Sequence, residues 1–346
     1  MKPYALFSDA HFHNWSAFSQ INEMGINSRL QIQLDELRYC ADTLKSLGGN
    51  LIVNAGDTFH LRNQIVPSVM NPVRDLHHKL ISEGFIFSVI PGNHDTANKD
   101  ADRLSSSSTV LEDAGCDVHS VPSYSKDRPK IIFVPWIQDI SKLKEIIECV
   151  PYPEVHDLVI HAPIDGVIKG LPNHGLDGEY LASLGFKRVF AGHYHDHKEV
   201  VLDKVWSVGA TTHQTWSDIG TKAGFVIVSD DGVKHYESHA PKFIDISDLE
   251  NFDELPLIID GNYIRIKINV SKPSEIDEMR QTLLSNGALG VLIVPTIKDA
   301  LSARGNSSVS KSASLDESII QYVKDRGFNE SVELACADIL QKVRSV

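Results

Sequence analysis

Five short polar motifs, each directly behind an apolar run, are spaced along the first 195 positions of this 346-residue chain. They are Ser8-Asp9-Ala10-His11, Gly56-Asp57-Thr58-Phe59-His60, Pro91-Gly92-Asn93-His94-Asp95, Ile160-His161-Ala162 and Gly192-His193-Tyr194-His195. The runs ahead of them (Tyr4–Ser8, Leu51–Ala55, Phe85–Ile90, Leu158–Ile160 and Arg188–Ala191) read as buried strands. Helical periodicity fills 28–47, closed by Gly48-Gly49, and 67–83, and further strands are read at Ile131–Val134, Val205–Val208 and Phe225–Val228. Such alternation predicts βαβ units and an α/β fold. In open α/β folds the ligand crevice lies beyond the carboxyl ends of the strands, so all five motifs are expected to converge.

The residue types then narrow the chemistry. Asp9 and Asp57 offer carboxylates, Asn93 an amide oxygen, and His11, His161, His193 and His195 imidazoles, with no thiolate among them. That mixture suits Mn²⁺, Fe²⁺ or Zn²⁺ rather than Ca²⁺. Asp9/His11 and His193/His195 are i, i+2 pairs, which point the same way in extended chain. Gly56, Gly92 and Gly192 permit tight turns and close backbone approach to a phosphate. Two divalent ions sharing a bridging carboxylate activate a water and neutralise a phosphoryl group during in-line displacement. One Asp-x-His or one Gly-Asp-x-Phe is weak evidence, and a lone histidine is more often an ordinary core or surface residue. The ordered set of five, each after a strand, is specific.

Over roughly residues 1–240 the set resembles the calcineurin-like metallophosphoesterase superfamily. The resemblance implies a four-layer α/β sandwich, with two sheets face to face and helices outside. It implies a first metal held by Asp9, His11, Asp57 and His195, and a second held by Asp57, Asn93, His161 and His193, with Asp57 bridging. His94 matches a histidine that stabilises the transition state or protonates the leaving oxygen, and Asp95 would orient a neighbour. No ligand position is degenerate. Ser/Thr phosphatases read Gly-Asp-x-x-Asp-Arg-Gly and Gly-Asn-His-Glu, whereas here Asp57 leads into Thr58-Phe59-His60-Leu61-Arg62 and the third motif ends in Asp95. Purple acid phosphatases place tyrosine three residues after the bridging aspartate, where this chain has His60. Gly-Asp-x-Phe-His, Pro67, Gly-Asn-His-Asp and Gly-His-x-His together resemble DNA-repair nucleases of the SbcD type. His60 then matches a histidine that assists exonuclease action in some members; a plain turn residue is the alternative.

The remaining chain follows the same plan. Residues 1–242 are expected to form the nuclease domain. A βαβ capping domain is read over 243–298, from a strand at Tyr263–Val270, a helix at Pro273–Ser285 and a strand at Gly290–Val294. A serine-rich linker is read at 299–313, and an amphipathic helical tail at 314–346, with Ser314 and Glu317 as a capping box and a break at Gly327. The resemblance implies that this tail docks on an SbcC-like SMC-type ATPase, with the chain a homodimer inside a heterotetramer. The alternative is a helical hairpin packed on the chain's own body. The chain is compact for that group, as phage-encoded members are.

Composition sets limits. Lys and Arg number 33 against 46 Asp and Glu, a net charge of 33 − 46 = −13. That balance disfavours a broad nucleic-acid surface, so weak DNA affinity is expected of the chain alone, with a partner supplying basic surface. Cys40, Cys116, Cys149 and Cys336 form no Cys-x-x-Cys pair and read as thiols of a reducing compartment. The N-terminus enters a strand at once, and no apolar run reaches about 18 residues, so neither a leader nor a membrane span is expected and a cytoplasmic location is. The expected function is a two-metal, preferably Mn²⁺-dependent, exonuclease acting on DNA in repair or recombination, with endonuclease action left open. Its alternatives are a small-molecule phosphodiesterase of the cyclic-nucleotide kind, or a mainly structural subunit of an ATPase complex.

Overall fold

The computed structural model describes residues 2–62, 64–125, 130–247, 255–270 and 274–297, with isolated positions at 319, 322, 323, 332 and 334–336. The linker at 299–313 and, apart from those positions, the tail at 314–346 lie outside the described residues. In chain order the strands are β1 (Tyr4–Phe7), β2 (Leu51–Asn54), β3 (Ile86–Val89), β4 (Asp117–Val118), β5 (Ser123–Tyr124), β6 (Ile131–Val134), β7 (Asp157–His161), β8 (Arg188–Gly192), β9 (Lys198–Val201), β10 (Val205–Ser207), β11 (Gly224–Ser229), β12 (Gly232–Glu237), β13 (Phe243–Asp245), β14 (Tyr263–Val270) and β15 (Gly290–Ile297). The α-helices are α1 (Ser28–Ser46), α2 (Pro67–Ser82), α3 (Ile140–Glu148), α4 (Gly178–Ser183), α5 (Leu255–Ile259) and α6 (Ser274–Ser285).

Two six-stranded sheets run β12-β11-β1-β2-β3-β4 and β5-β6-β7-β8-β10-β9. Strands β1, β2 and β3 are parallel neighbours in the first, and β6, β7 and β8 in the second. Side chains alternate between faces along a strand, and here both faces are apolar. Tyr4, Leu6 and Val53 of the first sheet share one core with Phe133, Val159 and Phe190 of the second. The opposite faces are covered separately. Ala5, Phe7, Ile52 and Phe87 pack with Leu30, Leu37, Val73 and Leu80 of α1 and α2. Ile132, Leu158, Ile160 and Val189 pack with Leu143 and Ile147 of α3 and Leu181 of α4. The result is the expected sandwich: helices, sheet, sheet, helices. Parallel strands buried on both faces read as continuous apolar runs, which is why the motif-bearing strands were visible in the sequence.

A third sheet runs β13-β14-β15, with Phe243 to Asp245 paired in parallel to Tyr263 to Arg265. The chain divides into two compact units, 1–265 with 283–292, and 266–282 with 293–346.

Two buried polar groups make the sandwich sensitive. Asp157 accepts from Tyr4 Oη at 2.6 Å and from Arg188 Nε and Nη2 at 2.8 Å each, all three residues being buried. Removing one member of such a group strands the others. Asp157→Ala is therefore expected to cost about 3–5 kcal/mol, read as a drop in urea midpoint. His77 of α2 is fully buried against Phe87 (ring centroids 4.8 Å apart), and its Nδ1 pairs with the Val73 carbonyl at 2.8 Å. Burial pushes this imidazole down to about 4 from an ordinary 6.5. Its folded value lies below its unfolded value, so its contribution is full above pH 6.5 and is lost as pH falls toward 4. By pH 5 the loss is about 2 kcal/mol. Urea midpoints of His77→Leu should fall less between pH 7.5 and 5 than those of the wild type.

Candidate metal centre

All five motifs gather at the carboxyl ends of the parallel strands, on the seam between the two large sheets. Asp9 and His11 follow β1, Asp57 and His60 follow β2, and Asn93, His94 and Asp95 follow β3. His161 ends β7, while His193 and His195 follow β8. The backbone there is not extended as the i, i+2 spacing implies. Asp9 has φ 50°, His11 φ 45°, Asp57 φ 53° and His193 φ 106°. These side chains are brought together by left-handed residues, a costly conformation that Asp and His tolerate better than bulky residues do. The turns interlock: Asp9 N–H donates to the Gly56 carbonyl (2.9 Å), and His11 N–H to the Asp57 carbonyl (3.0 Å). Gly92 admits the Asp57 carboxylate, since a Cβ there would lie 2.1 Å from Asp57 Oδ1. Gly56 combines φ +106° with the His161 ring, 2.2 Å from where its Cβ would stand.

Asp57 lies between two clusters. Its Oδ2 is 3.5 Å from His11 Nε2 and 3.5 Å from His161 Nε2. One candidate ligand set is Asp9, His11 and His195, and another is Asp57, His161 and His193; in each the ligand atoms lie within 4.8 Å of one another. Asn93 Oδ1 joins the second set, 3.1 Å from His161 Nε2 and 2.9 Å from His193 Nδ1. The other ring nitrogens are engaged elsewhere. His161 Nδ1 pairs with the Ala55 carbonyl at 2.8 Å, and His195 Nδ1 with Asp218 Oδ1 at 2.7 Å. Their Nε2 atoms are thereby the ones left for a metal. His11, His60 and His94 form a third cluster, their ring nitrogens within 4.8 Å of one another.

Electrostatics show that the site suits cations. Asp9 and Asp57 are buried, and Asp9 Oδ1 has no hydrogen-bond partner, a costly state that a divalent ion relieves. Burial pushes the Asp9 carboxyl up. Burial also opposes ionisation of Asp57, but the imidazoles of His161, His11 and His94 outweigh it and hold that carboxyl well below the usual range. His161 shows the reciprocal effect: burial pushes it down, yet Asp57 and then Asp9 raise it to about 9. The two carboxylates thus favour positive charge at the position where the second set of ligands meets.

Supporting residues come from outside the motifs as well as within them. Asp95 ties two turns together, accepting from the N–H groups of Thr58 (2.9 Å), Phe59 (2.9 Å) and Gly92 (3.0 Å). Asp218 was not singled out by sequence reasoning. It closes a capping box with Thr215 around the short 3₁₀ turn Trp216–Asp218 and orients His195. Its Thr-x-x-Asp pattern was the available signal. Gln214 Nε2 donates to the Asp9 carbonyl (2.7 Å) and Gln33 Nε2 to the Ala10 carbonyl (2.6 Å), and neither stands in a motif.

A four-layer sandwich that gathers carboxylates, an amide and imidazoles at the seam of its sheets is a divalent-metal phosphoesterase. Residues 2–197 match the pattern of the calcineurin-like phosphoesterases; the chain belongs to that family and is a hydrolase of phosphate esters. Among solved structures, that of Pseudomonas putida nuclease MPE is similar at 15% identity and a TM-score of 0.30, covering 67% of this chain and 87% of that one. No curated protein matches the chain. Among the described residues, no helix is long and apolar enough to cross a membrane.

Proposed function

We propose that the chain is a two-metal DNA nuclease of the SbcD type, acting in repair or recombination beside an SbcC-like ATPase. The observation that carries the two-metal reading is the position of Asp57 Oδ2, equidistant from the facing nitrogens of His11 and His161. Asp9, His11, Asp57 and His195 would hold one ion, and Asp57, Asn93, His161 and His193 the other. Mn²⁺ is the preferred metal. Ions bound there would supply an activated water and neutralise the charge of the phosphoryl oxygens. The His94 Nδ1–H donates to the His60 carbonyl at 2.6 Å, so the proton given to the departing oxygen is the one Nε2 carries when His94 is doubly protonated. His60 lies beside both His11 and His94 and places the substrate backbone against them.

The substrate assignment is supported by Gly-Asp-x-Phe-His, Pro67 and Gly-Asn-His-Asp in combination. The capping segment 243–298 and tail 314–346 fit a partner-bound nuclease that is a dimer in its complex, with the tail as the ATPase dock. The net charge of −13 favours a second reading, hydrolysis of a small nucleotide diester. A nuclease assay in Mn²⁺ on linear single- and double-stranded DNA, beside bis-p-nitrophenyl phosphate, separates them. Metal-dependent DNA cleavage is expected. Ester hydrolysis without DNA cleavage, persisting when the partner ATPase is added, would sink the nuclease reading. Asp218→Ala should weaken metal binding and lower activity by roughly 10–100-fold, because His195 loses the partner that sets its tautomer. Manganese titration followed by hydrolysis rate reads this directly.

A further inference from the structure

The contact between His94 and the His60 carbonyl makes residue 60 responsible for how His94 presents its second nitrogen. His60 has little backbone support of its own. Its N–H reaches the Phe12 carbonyl only at 3.4 Å, and Leu61 and Arg62 beyond it are exposed. Packing holds its ring instead. The half-buried indole of Trp15 lies 4.5 Å from it between centroids, His13 lies 5.1 Å away, and His60 Nδ1 is 3.4 Å from His11 Nδ1. Trp15 is itself anchored. Its carbonyl accepts from Asn27 Nδ2 at 3.0 Å, and the same Asn27 side chain caps α1 through the N–H groups of Arg29 and Leu30. Its N–H donates to the His13 carbonyl (3.0 Å), and the Arg29 guanidinium lies 5.0 Å from the indole centroid. A contiguous path therefore runs from the capped end of α1 through Trp15 and His60 to His94.

We propose that Trp15 is a positioning residue for His94, acting through His60. The role rests on His94 being the group that protonates the leaving oxygen. In that step an oxygen from water bonds to phosphorus as the P–O bond to the leaving group breaks. The electron pair stays on the leaving oxygen, and the Nε2 proton of a doubly protonated His94 passes to it, leaving His94 neutral with its Nδ1–H on the His60 carbonyl. A p-nitrophenolate leaves without needing the proton, whereas a phenolate of higher pKa gains from it. A displaced His94 should therefore harm poor leaving groups selectively.

The test uses the full chain in Mn²⁺ with thymidine 5′-phosphate esters of p-nitrophenol, phenol and p-methoxyphenol. These substrates need no DNA binding, so failure of the nuclease assignment does not enter. Trp15→Ala is expected to lose roughly 10²-fold in kcat on the phenyl and methoxyphenyl esters and little on the nitrophenyl ester. KM and metal content should hold, and Trp15→Phe should restore most of the loss by keeping an aromatic face. If Trp15→Ala does not fold, Trp15→Leu replaces it. Equal losses on all three esters, beside a selective loss in His94→Ala, would overturn the role of Trp15 alone. Equal losses in both variants would overturn the acid role of His94 and this inference with it.

Discussion

Asp57→Asn should emerge with neither metal and with hydrolysis at background. The Asp57 carboxylate approaches both clusters, at 3.5 Å from His11 Nε2 and 3.5 Å from His161 Nε2, so its charge is shared. Losing it would remove the proposed bridge rather than one ligand of four. Asparagine is the right replacement because the backbone here has φ 53°, where alanine would add strain and asparagine does not. The amide also keeps an acceptor for the His94 N–H, which Asp57 Oδ1 meets at 2.7 Å. The loss is then one of charge, not of the turn. Inductively coupled plasma analysis of the purified variant reads the outcome. Two retained metals would remove Asp57 from the bridging position.

Much of the sandwich was legible because its central strands are buried on both faces. Leu51–Asn54 and Arg188–Gly192 have no polar alternation to confuse a reader. The edges were not legible. Asp117–Val118 and Ser123–Tyr124 are two-residue strands, too short for a period, and Gly232–Glu237 is half exposed. Helix α3 was also missed, although Asp139 caps it and Leu143 and Ile147 form its buried side. Nine residues hold only about two and a half turns of helix.

The site divides in the same way. Residue types at each position could be read, because ligand chemistry restricts them. The geometry that joins them could not. Left-handed backbone at Asp9, His11 and His193 leaves no trace in those residue names. Nor does the pairing of His195 with Asp218, which the fold brings from 23 residues away. Trp15 reads as an isolated aromatic until the fold sets it against His60.

The surface charge gives the proposed function its sharpest internal tension. An autonomous nuclease would need many phosphate-contacting cations, and log K would then fall steeply with salt. With 33 basic against 46 acidic side chains, the proposed DNA binding would draw on the site and on the proposed partner's surface. Two divalent ions held by the proposed ligand sets would add four positive charges there. DNA cleavage should accordingly depend on metal more than on ionic strength.

His94→Ala separates chemistry from metal binding and should retain both ions while kcat on the phenyl ester of thymidine 5′-phosphate, a poor leaving group, falls by roughly 10²–10⁴-fold. Retention follows from how His94 meets Asp57. The link is through its backbone N–H at 2.7 Å, which alanine keeps. Asp95 holds the turn independently, through the N–H groups of Thr58, Phe59 and Gly92. What disappears is an imidazole whose Nδ1 is fixed by the His60 carbonyl and whose ring lies edge-on to His11 at 4.6 Å. The fall should appear in kcat with KM nearly unchanged, since a proton given to the leaving oxygen matters only in the transition state. The competing geometry is explicit: His94 also lies within ligand range of His11 and His60. If metal is lost together with rate, His94 is a ligand and the acid must be sought elsewhere. An unchanged rate with both metals in place would leave it no catalytic part.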